Sequence, residues 1–265
     1  MVDRSKAFGF GIARFIGATF LDELAMLATE ASGIRLQRYS ATSYRALADA
    51  MITGQVGVAW LPPILALEVE RGGHGTVAAI PLRHGVPTYR AAIIVRPGGP
   101  KTIGELAGTR VAWVDAESAA GYVVPRLHLA ANGFDVRAFA HEEFLRSHIE
   151  VVNAVSRGRF DVGATFSNHD PRTQAITTAG WTDVDGRAIR DVGVLATVGP
   201  IPNDALLISS LIPLAARLAL TRWVLDPPPR VKRLFSIVLA SERLRAPEAE
   251  HFQALRDLLR KSTPP

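Results

Sequence analysis

The sequence predicts an α/β fold made of two similar lobes with mainly parallel sheets. Three observations carry this expectation. Apolar strand-like runs alternate with helix-like segments along the whole chain. A unit of serine, helix, glycine and strand occurs twice, as SYRALADAMITGQVGVAW at Ser43–Trp60 and as SHIEVVNAVSRGRFDVGA at Ser147–Ala164. A short apolar strand also runs through a turn of small residues straight into a helix, in VAWVDAESAAGYVVP from Val111 to Pro125.

The strands expected in chain order are Phe8–Ala13, Ile34–Tyr39, Val56–Trp60, Val77–Pro81, Ala91–Val95, Arg110–Val114, Val136–Phe139, Phe160–Phe166 and Val192–Val198. Helices fall between most of them. In Ser43–Thr53, the residues Tyr44, Leu47, Ala48 and Met51 share one helical face, and Gly54 closes the helix. The repeat of this unit keeps a constant offset of 104 residues. It pairs Ser43 with Ser147, Tyr44 with His148, Ala50 with Ala154, Gly54 with Gly158 and Val58 with Val162. Each copy reads as a serine N-cap, a helix, a glycine stop and a strand. Two units so placed predict two lobes built alike, with Tyr44 and His148 at equivalent helix starts.

The chain is expected to leave the first lobe near Thr88–Ala91, after the Pro87 turn, and to return near Val198–Asp204. That gives a first lobe of residues 1–88 and 203–265 and a second lobe of residues 89–202. The tail from Leu211 to Pro265 is expected to pack on the first lobe. Asp226–Pro229 (DPPP) separates its helices, and Ser262–Pro265 frays.

At 265 residues the chain can bury one large core or two smaller ones. Hydrophobic residues make up 48% and charged residues 21%, as in globular domains generally. The net charge of +5 and a pI near 10.0 favour anionic small molecules as partners. The basic residues form no run interleaved with aromatics, which argues against nucleic acid. No stretch has the length of a membrane span, so no membrane insertion is expected. With no cysteine, disulfides, thiol catalysis and Cys-ligated metal are excluded. The N-terminus MVDRSKAFGFGIARF has no long apolar segment or cleavage site. As written, a cytoplasmic location is expected, or a periplasmic one if an export signal has been removed.

Several residues could carry binding chemistry. Ser118 can cap the helix after Val114 through its hydroxyl, and Gly121 lets a ligand approach closely. The free N–H groups of such a helix start receive anions, although a plain N-cap has the same appearance. His148 opens a helix where the dipole disfavours a cationic ring unless an anion compensates; it also reads as a solvated surface histidine. Tyr44, Tyr89 and Trp60 stand near element ends, where aromatics serve either the core or a cleft wall. Asp204 follows a proline-rich turn and can be a turn former. His169–Asp170 reads as a turn. No metal-ligand spacing, nucleophile elbow or phosphate loop is present, so neither catalytic residues nor a cofactor is expected.

Five stretches together resemble the phosphonate-type periplasmic substrate-binding proteins of ABC transporters, with the bilobal type 2 periplasmic-binding fold. They are Ala41–Pro63, Val86–Asp115, Glu117–Gly133, Ser147–Thr165 and Gly199–Ile208, within Arg38–Ser209. The resemblance implies ligand roles for Tyr44, Tyr89, Ser118, His148 and Asp204. It also places Ala119 and Ala120 where the family carries Thr and a second Ser. Two hydroxyl donors are thereby replaced by methyl groups, and each charge-assisted bond is worth about 1.5–3 kcal/mol. Asn168 stands where aminophosphonate binders hold a carboxylate, and an amide cannot neutralise an ammonium. The expected ligand-binding set is therefore Tyr44, Tyr89, Ser118, Ala119, Ala120, Gly121, His148, Asn168 and Asp204, around a small anion other than 2-aminoethylphosphonate.

The function the resemblance implies is solute binding, with closure of two lobes on a small anionic ligand for ABC-type uptake or sensing. The implied partners are that ligand and an ABC permease or signalling partner. The alternative is a cytosolic biosynthetic enzyme on the same fold, of the menaquinone- or thiamine-pyrimidine-pathway type.

Overall fold

The computed structural model describes residues 7–12, 18–83, 85–239, 241 and 243–261. The chain divides into two compact units. One comprises the residues up to Pro87 together with Pro202–Gln253; the other comprises Thr88–Ile201 together with the residues from Ala254 onward.

The first unit is a six-stranded sheet. Its strands are β1 (Phe8–Ile12), β2 (Leu36–Tyr39), β3 (Val56–Leu61), β4 (Gly75–Leu82), β11 (Ala205–Ser209) and β12 (Arg243–Arg245). They lie in the order β12-β4-β11-β3-β1-β2. β1 runs parallel to β2 and β3, whereas β11 is antiparallel to β3 and β4, and β12 is antiparallel to β4. Helices α1 (Ala18–Ser32), α2 (Tyr44–Ile52), α3 (Pro63–Arg71), α6 (Leu214–Leu225) and α7 (Pro229–Leu239) complete the unit. One core joins Phe8, Phe10 and Trp60 of the sheet to Leu24 of α1, Trp223 of α6 and Phe235 of α7. Trp60 is thus a core residue, 1% exposed.

The second unit orders its strands β10-β5-β8-β6-β7, with β9 added beside β8. The strands are β5 (Thr88–Val95), β6 (Arg110–Trp113), β7 (His141–Phe144), β8 (Val162–His169), β9 (Ile176–Ala179) and β10 (Gly193–Pro202). β6 pairs parallel with β7 and β8, and β5 and β9 pair antiparallel with β8. Helix α5 (His148–Ser156) covers one face, where Val151 and Val155 meet Ala92, Ile94 and Ala112. Helix α4 (Val124–Ala131) lies over the other, where Leu129 joins Ile93, Val95, Val111 and Trp113.

Three expectations need correction. The sheets are mixed rather than mainly parallel, because strands such as β11 and β5, next to the crossings between units, run opposite to their neighbours. Val136–Phe139 is no strand: Asp135 accepts from Arg137 N–H and winds Val136–Ala138 into a 3₁₀ turn. The strand is the polar run His141–Phe144, which can be polar because β7 lies at a sheet edge. The residues from Ala254 onward, in α8 (Gln253–Lys261), group with the second unit, and Leu255 of that amphipathic helix is buried. Ala13 and the end at Ser262–Pro265 lie outside the described residues.

The repeated unit is found at the expected offset. α2 begins at Tyr44 and α5 at His148; they end at Ile52 and Ser156. Gly54 (φ 77°) and Gly158 (φ 70°) then turn the chain in the left-handed region, which favours glycine. The caps differ. Ser43 accepts from the Ala46 N–H at 3.1 Å, whereas Ser147 makes no side-chain cap bond.

Candidate functional site

The site is built most fully in the second unit, around the strand–turn–helix that follows β6. The Asp115 carboxylate folds this turn: Oδ1 accepts from Glu117 N–H at 3.0 Å and Oδ2 from Arg146 at 3.0 Å. Arg146 thereby offsets the acidic charge next to the turn. Ser118 Oγ accepts from Gly121 N–H at 3.0 Å. Ala119–Val123 form a π-helical turn that leads into α4. The expected cap is therefore real, but it sits on a wider turn than an α-helix. Gly121 is required by close approach, since a Cβ there would lie 2.4 Å from Val114 Cγ2 and 2.8 Å from Ser118 Oγ.

The wide turn leaves donors over. Val123 N–H reaches Ser118 O and Val124 N–H reaches Ala119 O. Among the described residues, the backbone N–H groups of Ala119, Ala120 and Tyr122 reach no backbone acceptor outside the turn. Ala119 and Ala120 are 2% and 1% exposed. Buried N–H groups in this state are costly and favour an acceptor from outside the chain. The Ser118 hydroxyl, already an acceptor, still has its own proton to donate.

The π-helical turn packs on β5 and β8. β8 carries Thr165, Phe166 and Asn168 toward its end. His148, the first residue of α5, bonds through Nδ1 to Thr165 Oγ1 at 3.0 Å and meets the Phe166 ring edge-to-face at 5.2 Å. Asn168 is 6% exposed, and its Nδ2 donates to Thr178 Oγ1 at 2.9 Å. Tyr89 lies near the start of β5, half-buried. The second unit thus brings Ser118–Gly121 and Asn168 to one strand, with His148 tied to the same strand from α5. Among the described residues no group of His, Cys, Asp and Glu is arranged to hold a metal ion.

The first unit holds the other two predicted residues. Tyr44 opens α2 and is half-buried. Asp204 precedes β11, and its Oδ2 pairs with Arg83 at 2.8 Å. Next to it, Asn203 Nδ2 donates to Pro81 O at 3.0 Å and Val86 O at 3.2 Å, and its N–H donates to Pro87 O at 3.0 Å. These bonds tie the end of the outgoing segment to the returning one. Arg83, Asn203, Thr165 and Thr178 escape a reading of the sequence, because each matters through a partner distant in the chain. The nearest signal was PND in Gly199–Ile208, where Asn203 stands beside the expected aspartate.

Two α/β units of this kind, each opening a helix with Tyr44 or His148, have the build of the bilobal type 2 periplasmic binding proteins. The sequence matches the family model for the periplasmic phosphonate substrate-binding proteins of ABC transporters over residues 19–235, and the chain belongs to that family. Solved structures show the same fold. XAC2383 from Xanthomonas citri, bound to chloride ion, superposes with a TM-score of 0.77 at 19% identity, covering 95% of each chain. A binding-protein component of an ABC phosphonate transporter from Pseudomonas aeruginosa gives 0.72 at 18%, over 96% of this chain and 85% of that one. PhnD1 from Prochlorococcus marinus, in complex with methylphosphonate, gives 0.70 at 12%, over 97% and 98%. A search of curated proteins finds no match.

Family and fold neighbours are substrate-binding proteins, so the enzyme alternative is set aside: this is a solute-binding protein for an anionic ligand. Family members are periplasmic and serve ABC transporters. No helix among the described residues is long and apolar enough to cross a membrane.

Proposed function

We propose that the chain is the periplasmic component of an ABC uptake system, delivering a small oxyanion to a permease. Its anion subsite is the start of the π-helical turn. The observation that supports this reading is the set of N–H groups of Ala119, Ala120 and Tyr122, which reach no backbone acceptor outside the turn among the described residues, beside Ser118 Oγ. They point at a helix N-terminus, where the backbone dipole favours negative charge. His148 adds a side-chain donor, and Tyr89 of the same unit stands near the start of β5.

The methyl groups of Ala119 and Ala120 leave the backbone to do what hydroxyls do elsewhere in the family. The ligand is then a phosphonate or similar oxyanion held more weakly, with a substituent that carries no ammonium, because Asn168 offers no charge to pair with one. Asp204 braces Arg83 rather than contacting the ligand.

Isothermal titration with methylphosphonate, phosphate and 2-aminoethylphosphonate tests the reading. Binding of the first or second with tenfold or greater preference over the third supports it. His148→Ala is expected to weaken that binding by about ten- to a hundredfold, the value of one strong hydrogen bond. An unchanged dissociation constant removes His148 from the site.

A further inference from the structure

Thr165 is 0% exposed, and among the described residues its hydroxyl has a single hydrogen-bond partner, His148 Nδ1 at 3.0 Å. The side chain is closely confined. A Cβ on Gly180 would lie 2.2 Å from Thr165 Oγ1 and 3.1 Å from its Cβ and Cγ2, so only glycine fits opposite it. A β-branched residue has few rotamers, and this enclosure holds one of them.

A buried hydroxyl must place its proton on an acceptor, or it bears the cost of an unsatisfied donor. Nδ1 of His148 is the acceptor within reach. If Nδ1 carried a hydrogen, that hydrogen would face the oxygen and the threonine proton would have no acceptor. We infer that Thr165 is a positioning residue: its hydroxyl donates to His148 Nδ1, fixes the Nε2–H tautomer, and so makes the outer ring nitrogen a hydrogen-bond donor for an oxyanion. The edge-to-face contact with Phe166 at 5.2 Å holds the ring plane at the same time. The donor role for the ligand rests on the proposed function above; the tautomer does not.

The test separates the two. Long-range ¹H–¹⁵N correlation spectra of the ligand-free, ¹⁵N-labelled protein report which ring nitrogen of His148 is protonated. Wild type and Thr165→Ser are expected to show Nε2–H, and Thr165→Val, isosteric but without the hydroxyl, to lose that fixed pattern. Methylphosphonate titration is expected to give about tenfold weaker binding for Thr165→Val and wild-type affinity for Thr165→Ser. An Nδ1–H pattern in the wild type overturns the inference, as does a Thr165→Val protein that keeps the wild-type pattern and affinity. Should Thr165→Val fail to fold, the wild-type and Thr165→Ser spectra decide. If His148→Ala leaves methylphosphonate binding unchanged, the anion-site reading fails on its own, and the spectra still judge the tautomer.

Discussion

Asp161 joins the start of β6 to the end of β5, opposite in the sheet to the ends that carry the site. Its Oδ1 accepts from Arg96 at 3.0 Å, and its Oδ2 accepts from Arg110 through Nε at 3.0 Å and the backbone N–H at 3.1 Å. Foremost through the Arg110 hydrogen bond, its carboxyl is lowered from 3.8 to about 2. At roughly 1.4 kcal/mol per unit, this linkage is worth at most about 2.5 kcal/mol. The two guanidiniums are 42% and 47% exposed, so solvent screening reduces the figure to about 1–1.5 kcal/mol. Because the folded-state value is depressed, the stabilisation is complete above pH 3.8 and disappears as pH falls through about 2. Roughly half of it should be gone at pH 3. The assay is urea unfolding of wild type and Asp161→Asn at pH 7, 5 and 3. The variant is expected to be less stable by about 1–1.5 kcal/mol at pH 7 and 5, with the gap about halved at pH 3. A gap that stays the same, or widens, at pH 3 refutes the argument that the charged carboxylate provides it.

Three further outcomes are expected. Asp204→Asn should cost about 1–2 kcal/mol of stability, since it leaves the part-buried Arg83 guanidinium facing an amide, and should leave methylphosphonate affinity unchanged; a tenfold loss of affinity would return Asp204 to the ligand. Ala119→Thr with Ala120→Ser should tighten methylphosphonate binding by at least tenfold by supplying hydroxyl donors, with titration as the measurement; no gain would mean that these positions do not face the anion. His251 is held down to about 4, first by burial and then by the Arg245 charge, so its neutral form belongs to the folded state. Stability should fall as pH drops from 6.5 toward 4, by less than about 3 kcal/mol, and His251→Phe should flatten that slope in unfolding curves; an equal slope in the variant assigns the loss elsewhere.

The candidate site was legible in the sequence wherever its chemistry is local. Ser118 and Gly121 lie three residues apart, so their capping bond could be foreseen. Tyr44 and His148 could be matched because each opens a helix that ends in glycine at a fixed distance. The π-helical width of the Ala119–Val123 turn could not be foreseen. It depends on how the turn packs on β5 and β8 and on Val114, whose side chain leaves no room for a Cβ at Gly121. Because of that width Ser118 O takes the Val123 N–H rather than that of Tyr122, whereas the Ala119 and Ala120 N–H groups are left over at any helix start.

By itself the sequence determined the α/β class, the two-unit plan and the family, because periodicity, caps and glycine stops are encoded within ten or twenty residues. Strand direction, the placing of Val136–Phe139 in a 3₁₀ turn and the grouping of α8 with the second unit were decided by tertiary structure. So were the bonds of Asp204 to Arg83, Asn203 to Pro81, Asp161 to Arg96 and Arg110, and Thr165 to His148. Each joins groups from 17 to 122 residues apart. No local pattern records such a pair, since a hydrogen bond depends on the distance between atoms in space and is indifferent to the length of chain between them.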